Sequence, residues 1–352
     1  MINNSTDIFP RRLRQARLMR GMSLEKLSQA LTSSVTRQAI NKYEKGQMKP
    51  DSRVLIALAG ALGVKIDYFF RPFTVEVDKV EFRKKPGFTD KMTVALRERV
   101  REELERYLEI EQLSNSTIDF TLPDKEISTV KDAKVFAMEI RHLLGLGHDG
   151  ISNVIEVLED CGIKIIELQE NNDFDGLSGY ANGKIPIIVI NGNFSTERKR
   201  HTALHELGHL LLNVPAGTPD KTVENICNAF ATEMLLPANI LTTKIGNVRH
   251  DISLSELTDL QRQFGISVDD IMLSLREYGV ISDRRYSGFL KKKSSIVDFR
   301  ALVEKSRVEL ERSGRFARMV YRALADETIT FSKAAVLLNT SIDDVKSNLQ
   351  LV

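Results

Sequence analysis

Cysteine is nearly missing from this sequence. Only Cys161 and Cys227 occur in 352 residues, which excludes a disulfide framework and a cysteine zinc cluster. A reducing, cytoplasmic setting fits that scarcity. Long apolar runs are missing as well: no stretch approaches the ~20 residues that a membrane-spanning helix needs. Residues 1–10 lack the apolar core of a signal peptide, and no membrane role is expected. Neither sign of charge dominates, since 50 Lys and Arg face 48 Asp and Glu. Hydrophobic residues at 42% and charged residues at 28% are those of an ordinary globular chain, long enough for two or three domains.

The charge is unevenly spread. Residues 1–72 hold 13 Lys and Arg against 5 Asp and Glu, a surplus of +8, while the remainder carries −6. A basic head on a mildly acidic body points to a head that meets a polyanion. Residues 11–20 read as a helix closed by Gly21. Ser23 suits the N-cap of a helix over 24–31, with Leu24, Leu27 and Leu31 on its inner face. After a turn of Thr32, Ser33 and Ser34, Thr36 opens a third helix, Arg37-Gln38-Ala39-Ile40-Asn41-Lys42-Tyr43-Glu44, which Gly46 stops. A fourth helix over 54–62 follows Pro50. Helix, tight turn and helix, with the small Ala39 for close packing, make a helix-turn-helix unit.

The run from Ser23 to Pro50 resembles the Cro/repressor-type (XRE) DNA-binding family. The resemblance implies that the helix beginning at Arg37 enters the major groove of double-stranded operator DNA. Arg37 and Gln38 would then read base edges, Arg toward guanine and Gln toward adenine. Asn41 and Lys42 would read bases or clamp phosphates, and Ser33 and Ser34 would contact phosphates.

Residues 73–130 read as a linker, with Lys84-Lys85-Pro86-Gly87, and an amphipathic helix. Leu96, Val100, Leu104 and Leu108 recur every four residues. That face either bridges domains or pairs with a second copy of the chain, as in a homodimer. The heptad is not sustained, so no long coiled coil is expected. Farther on, 154–160 reads as a helix and 162–168 as a strand. The Gly-rich run Asp175-Gly176-Leu177-Ser178-Gly179-Tyr180-Ala181 leads toward another strand. The apolar run 186–191 opens with Pro186, as edge strands often do. An extended polypeptide could add to that edge at Ile187, Ile188 and Val189.

Next comes His205-Glu206-Leu207-Gly208-His209, set in an apolar helical run. Four residues apart on a helix, His205 and His209 lie one turn above the other and can grip one zinc ion. Glu206 reaches the same centre without ligating, placed to take a proton from an attacking water. The third ligand is expected on a helix over 224–236, which Pro237 stops. Glu224 and Asn228 share a face there, Glu224 as ligand and Asn228 as a group that orients the first helix by a hydrogen bond. Glu233 is the rival ligand, but nine residues along the helix from Glu224 it points elsewhere if Glu224 faces the metal. Two His, one carboxylate and one open position make a catalytic rather than a closed structural site.

These motifs together, with Phe174-Asp175-Gly176-Leu177-Ser178-Gly179 before them and Cys227-Asn228-Ala229-Phe230-Ala231 after, resemble the ImmA/IrrE metallo-endopeptidase family. The family implies a gluzincin-like fold, Zn2+ or in some members Mn2+, and cleavage of a protein partner, often an XRE-type repressor. His201 stands where the family usually has an aromatic residue, and Cys227 where Ala is common. His201 is expected at the surface or helix start, outside the metal's reach. Tyr180 is a candidate to stabilise the oxyanion of a tetrahedral intermediate.

The fold expected is α+β and mostly α. It comprises an all-α helix-turn-helix domain (1–72), a linker and amphipathic helix (73–130) and a zinc peptidase domain with a small sheet (131–248). A helical packing or partner region (249–296) and a small C-terminal helical domain (297–352) follow. The function expected is a DNA-binding transcriptional regulator fused to a zinc endopeptidase. The alternative is a repressor or antitoxin that uses a latent peptidase fold as a sensor or partner-binding platform.

Overall fold

The computed structural model describes residues 8–31, 35–75, 89–171 and 173–349. Helices α1 (Ile8–Met19), α2 (Leu24–Ala30), α3 (Arg37–Glu44) and α4 (Ser52–Leu62) come first, followed by a 3-10 turn at Ile66–Phe70 and the long α5 (Asp90–Leu113). Then come β1 (Lys125–Glu126), α6 (Val130–Leu143), α7 (Val154–Asp160), β2 (Lys164–Leu168), β3 (Gly176–Ala181) and β4 (Ile185–Asn191). Helix α8 (Thr196–Leu211), β5 (Leu212–Asn213) and α9 (Asp220–Leu235) follow, then α10 (Ala238–Ile245), α11 (Leu254–Phe264) and α12 (Val268–Glu277). The chain ends with α13 (Asp283–Ser295), α14 (Val297–Glu304), α15 (Arg315–Ala325), α16 (Phe331–Leu337) and α17 (Ile342–Leu349). The fold is α+β and mostly helical, and no described helix is long and apolar enough to cross a membrane. Contacts divide the chain into two units. One comprises Met1–Thr117, Tyr180–Lys184 and Arg315–Val352; the other comprises Ile118–Gly179 and Ile185–Gly314.

In the first unit, side-chain caps start the head's helices where the sequence suggests. Ser23, Thr36 and Asp51 accept from the backbone N–H groups of Lys26, Ala39 and Val54. Gly63, at φ 63°, ends α4 in the left-handed conformation that glycine adopts freely. Leu13, Leu27, Ile40, Leu58, Leu62 and Phe69 form the core. A bidentate ion pair, Arg17 to Glu44 at 2.6 and 2.8 Å, ties α1 to α3.

The head does not stand alone within this unit. Arg12 is fully buried, donating to Glu105 on α5 at 2.7 Å and to the Arg71 carbonyl at 2.8 Å. Lys65 donates to the carbonyls of Ala335 and Thr340. The far end of α5 packs with α15, α16 and α17 around Tyr107, Ile110, Val320, Leu337 and Val345. Leu96, Val100 and Leu104 are buried inside the unit, so the apolar stripe of α5 joins elements of one chain. Segment 297–352 does not cluster as one piece: 297–314 belongs with the second unit and 315–352 with the first.

In the second unit the sheet order is β2-β4-β3. Strands β2 and β4 run parallel, in register from Lys164 opposite Ile187 to Leu168 opposite Asn191. The expected edge position of 186–191 is therefore overturned, because β4 is the central strand. Ile187, Ile188 and Val189 are completely buried, as a continuous apolar run in a covered sheet should be. Pro186 just precedes the first paired residue, Ile187, so its missing N–H interrupts no β2 pairing. The Gly-rich run is not a lead-in to a strand but is itself β3. A Cβ on Gly176 would lie 2.5 Å from Thr202 Cγ2 and 2.9 Å from the Val189 carbonyl. Glycine there lets β3 approach the metal-motif helix α8.

Candidate metal centre and nucleic-acid interface

Helix α8 carries an unusual load of buried charge in its first half, and that charge fixes its position. Glu197 accepts from Gln261 at 2.7 Å, Ser306 at 2.8 Å and the Arg307 N–H at 2.9 Å. Lys199 donates to Glu167 and to the Glu311 carbonyl; Arg200 donates to the Glu311 carboxylate and the Ile151 carbonyl. Burial pushes the Arg200 guanidinium down and the Glu311 carboxyl up, each opposed by the other's charge. A charged triplet in a helix's first turns reads as a solvated face. Only packing reveals that residues 305–314, α11, β2 and the loop at Ile151 fold over it.

With α8 so held, its second half presents His205 and His209 side by side, ring centroids 4.7 Å apart. Glu224, from the second turn of α9, spans them. Its carboxylate oxygens lie 3.1 Å from His205 Nε2 and 3.4 Å from His209 Nε2, and the two nitrogens are 3.1 Å apart. Hydrogen bonds with the two imidazoles hold the Glu224 carboxyl well below the usual carboxylate range. The remote nitrogens are also engaged: His205 Nδ1 is 2.8 Å from Asn228 Oδ1, and His209 Nδ1 is 3.3 Å from Cys227 Sγ. Gly208 faces Cys227 across the contact of α8 and α9, and a Cβ there would lie 3.4 Å from Cys227 Cα and Cβ.

These residues can hold a divalent ion. Three donor atoms lie within 4.8 Å of one another, and they are two imidazole nitrogens and a carboxylate oxygen. With an ion bound, Asn228 Oδ1 would accept from His205 Nδ1–H and leave the Nε2 lone pair for the shared centre. Such a donor set suits zinc or manganese with a position left open.

Glu206, next to His205 on α8, is buried, and Ser178 Oγ on β3 donates to its Oε2 at 2.9 Å. Ser178 is a contact the sequence did not single out; the only trace was its place in the Gly-rich run. Glu233 lies elsewhere. Its carboxylate accepts from the Ala238 N–H at 2.9 Å, capping α10, and from the Tyr278 hydroxyl at 2.6 Å. His201 is not at the surface or the helix start. It sits half-buried in α8, 3.4 Å from Thr232 Oγ1 with its ring 6.5 Å from that of His205, and desolvation lowers its pKa. The reason is its spacing from His205, one helical turn that keeps it on the α9-facing side. Tyr180 is the half-buried penultimate residue of β3, two residues beyond Ser178.

On the head, Arg37, Gln38 and Lys42 are exposed on α3, and Asn41 is half-buried. Thr36, Arg37, Gln38 and Asn41 line a shallow concavity with Leu24 of α2. Ser33 and Ser34 lie outside the described residues.

Comparison with known proteins agrees with this layout. Residues 13–69 match the helix-turn-helix family, and residues 158–271 match the IrrE N-terminal-like domain of peptidase family M78. The second match runs past residue 248 and takes in α11. A curated relative, the SPbeta prophage-derived uncharacterized HTH-type transcriptional regulator YonR of Bacillus subtilis (strain 168), is 32% identical over 79 residues. That alignment spans 22% of this chain and 71% of YonR. Among solved structures, Bacillus thuringiensis PlcR in complex with the peptide PapR7 and DNA aligns over 98% of this chain and all of its own. Its 12% identity and TM-score of 0.18 carry no argument. The chain belongs to the XRE-type helix-turn-helix regulators by its head, and it carries an IrrE/ImmA-like M78 domain behind that head.

Proposed function

We propose that this chain is a DNA-binding transcriptional regulator whose second unit is a metal-dependent endopeptidase acting on a protein partner. The observation that carries the reading is the convergence of His205, His209 and Glu224, with Glu206, next to His205 on α8, bonded to Ser178. A divalent metal held by those three side chains, zinc or manganese, supplies Lewis acidity to a water and to a peptide carbonyl when bound. Glu206 takes the proton of the attacking water and returns it to the leaving amine. Ser178 fixes which Glu206 oxygen faces the reacting water. Asn228 fixes the tautomer of His205. An extended peptide adds along the outer edge of β3, the strand that carries Ser178, rather than along buried β4. The substrate is an XRE-type repressor or another regulator with an exposed extended segment. The head, through Arg37, Gln38, Asn41 and Lys42, places the peptidase at an operator and so raises its concentration near that substrate.

The test compares wild-type protein with Glu206→Gln by mass spectrometry of cleaved proteins in the cell, with metal content measured in parallel. Fragments present only with wild type, at equal metal content, support the reading. A metal-loaded wild type that yields no fragment beyond the Glu206→Gln control would sink the endopeptidase. It would leave the M78 domain as a partner-binding platform.

A further inference from the structure

Two successive residues of α9 each meet the remote nitrogen of one metal-motif histidine. Asn228 Oδ1 lies 2.8 Å from His205 Nδ1, and Cys227 Sγ lies 3.3 Å from His209 Nδ1. Cys227 is completely buried, and no disulfide engages it. We propose that Cys227 is a positioning residue for His209, holding its imidazole through Nδ1 so that Nε2 addresses the metal. The inference rests on the metal site proposed above.

The two supports differ in chemistry. An amide oxygen only accepts, so Asn228 presets His205 with its proton on Nδ1. A thiol both donates and accepts. With no ion bound, the S–H can donate to His209 Nδ1 while Nε2–H faces Glu224, 3.4 Å away. With an ion bound, Nε2 must offer its lone pair, so the proton moves to Nδ1 and sulfur accepts it. Cys227 therefore follows His209 through both tautomers, where an aliphatic side chain could serve neither. It cannot ligate the same ion in this arrangement, because it meets the opposite side of the ring from Nε2. A bare packing role would ask only for volume against Gly208.

The full-length protein tests this with three variants and a chelator competition for Zn2+, supported by the visible absorption of the Co2+-substituted protein. Cys227→Val keeps an apolar volume and removes the hydrogen-bonding atom. Cys227→Ser keeps a group that donates and accepts, and gives up volume. Asn228→Ala is the parallel loss on His205. Cys227→Val and Asn228→Ala are each expected to weaken metal retention roughly 10- to 100-fold, with an altered Co2+ spectrum. Cys227→Ser should lie within a few-fold of wild type. Wild-type affinity in Cys227→Val, or Cys227→Ser as weak as Cys227→Val, overturns the positioning role and leaves packing. A wild-type chain that takes up neither Zn2+ nor Co2+ overturns the metal site itself, a different outcome from either. Thermal melts of the metal-free proteins separate loss of fold from loss of the site.

Discussion

At the scale of single residues, two glutamates nine positions apart on α9 have opposite employments. Glu224 faces two imidazoles, whereas Glu233 caps α10 and receives the Tyr278 hydroxyl. Burial and the neighbouring Glu233 charge push the Tyr278 phenol well above its ordinary range, so it stays a proton donor at any working pH. Glu233→Ala should leave metal content unchanged and destabilise the fold by about 1–3 kcal/mol, because it strands a backbone N–H and a phenol. Urea titration and elemental analysis of one sample measure both. Glu224→Ala should do the reverse, losing metal with little change in the stability of the metal-free protein. Metal lost on changing Glu233 but retained on changing Glu224 would reverse the ligand assignment.

Elements meet at defined close approaches. Strand β3 can lie against α8 only because residue 176 has no side chain. Gly176→Ala should cost about 1–3 kcal/mol by overpacking and lower the melting temperature. It should also depress hydrolysis, since displacing β3 carries Ser178 away from Glu206. A variant that melts like wild type would show that the strand has room to yield. On the head, α3 is a short helix with one face in the core and the other bearing Arg37, Gln38 and Lys42. Arg37→Ala or Gln38→Ala should each cost about 1–3 kcal/mol on the preferred duplex and flatten discrimination against a scrambled one. Lys42→Ala should weaken both duplexes alike and make the salt dependence shallower. Fluorescence anisotropy at several salt concentrations reads all three. Equal loss on both duplexes for Arg37→Ala would move that residue from base reading to phosphate contact.

Across the whole molecule, the head is wired into its unit rather than hung on a linker. Arg12, wholly buried, neutralises a Glu105 that is 3% exposed, while Arg71 pairs with Glu102. Part of the head's basic surplus is thus structural and unavailable to DNA. Arg12→Ala should destabilise the chain by about 3 kcal/mol by leaving buried Glu105 with only its longer, 3.5 Å contact to Arg71. A chemical-denaturation midpoint unchanged from wild type would show that Glu105 escapes to solvent. For the same reason, deleting residues 1–72 is a poor probe of coupling, since it uncovers α5. Paired substitution of Arg37 and Gln38 is cleaner. It should lower cleavage in the cell at matched expression while leaving cleavage in vitro unchanged. Equal cleavage in the cell would sever DNA binding from substrate choice.

Local chemistry was legible in the residues themselves. The i, i+4 spacing of His205 and His209, the helix starts at Ser23 and Thr36, and the apolar stripe of α5 are rules of one helix. A helix needs no knowledge of the rest of the chain to obey them. Even the meeting of Glu224 with the histidines was readable, because Glu224 and Asn228 repeat the same spacing on a second helix. Sheet order was not legible. Nothing in 186–191 distinguishes an edge strand with a leading proline from a central one, because both are apolar; strand neighbours decide, and they lie far off in sequence. Ser178 and Cys227 gained their contacts only when β3 and α9 closed on α8. Nothing local marks Lys199 and Arg200 as buried, yet carboxylates and carbonyls from 151, 167 and 311 enclose them. A side chain's partner at a separation of a hundred residues is a property of packing, and packing alone decided it.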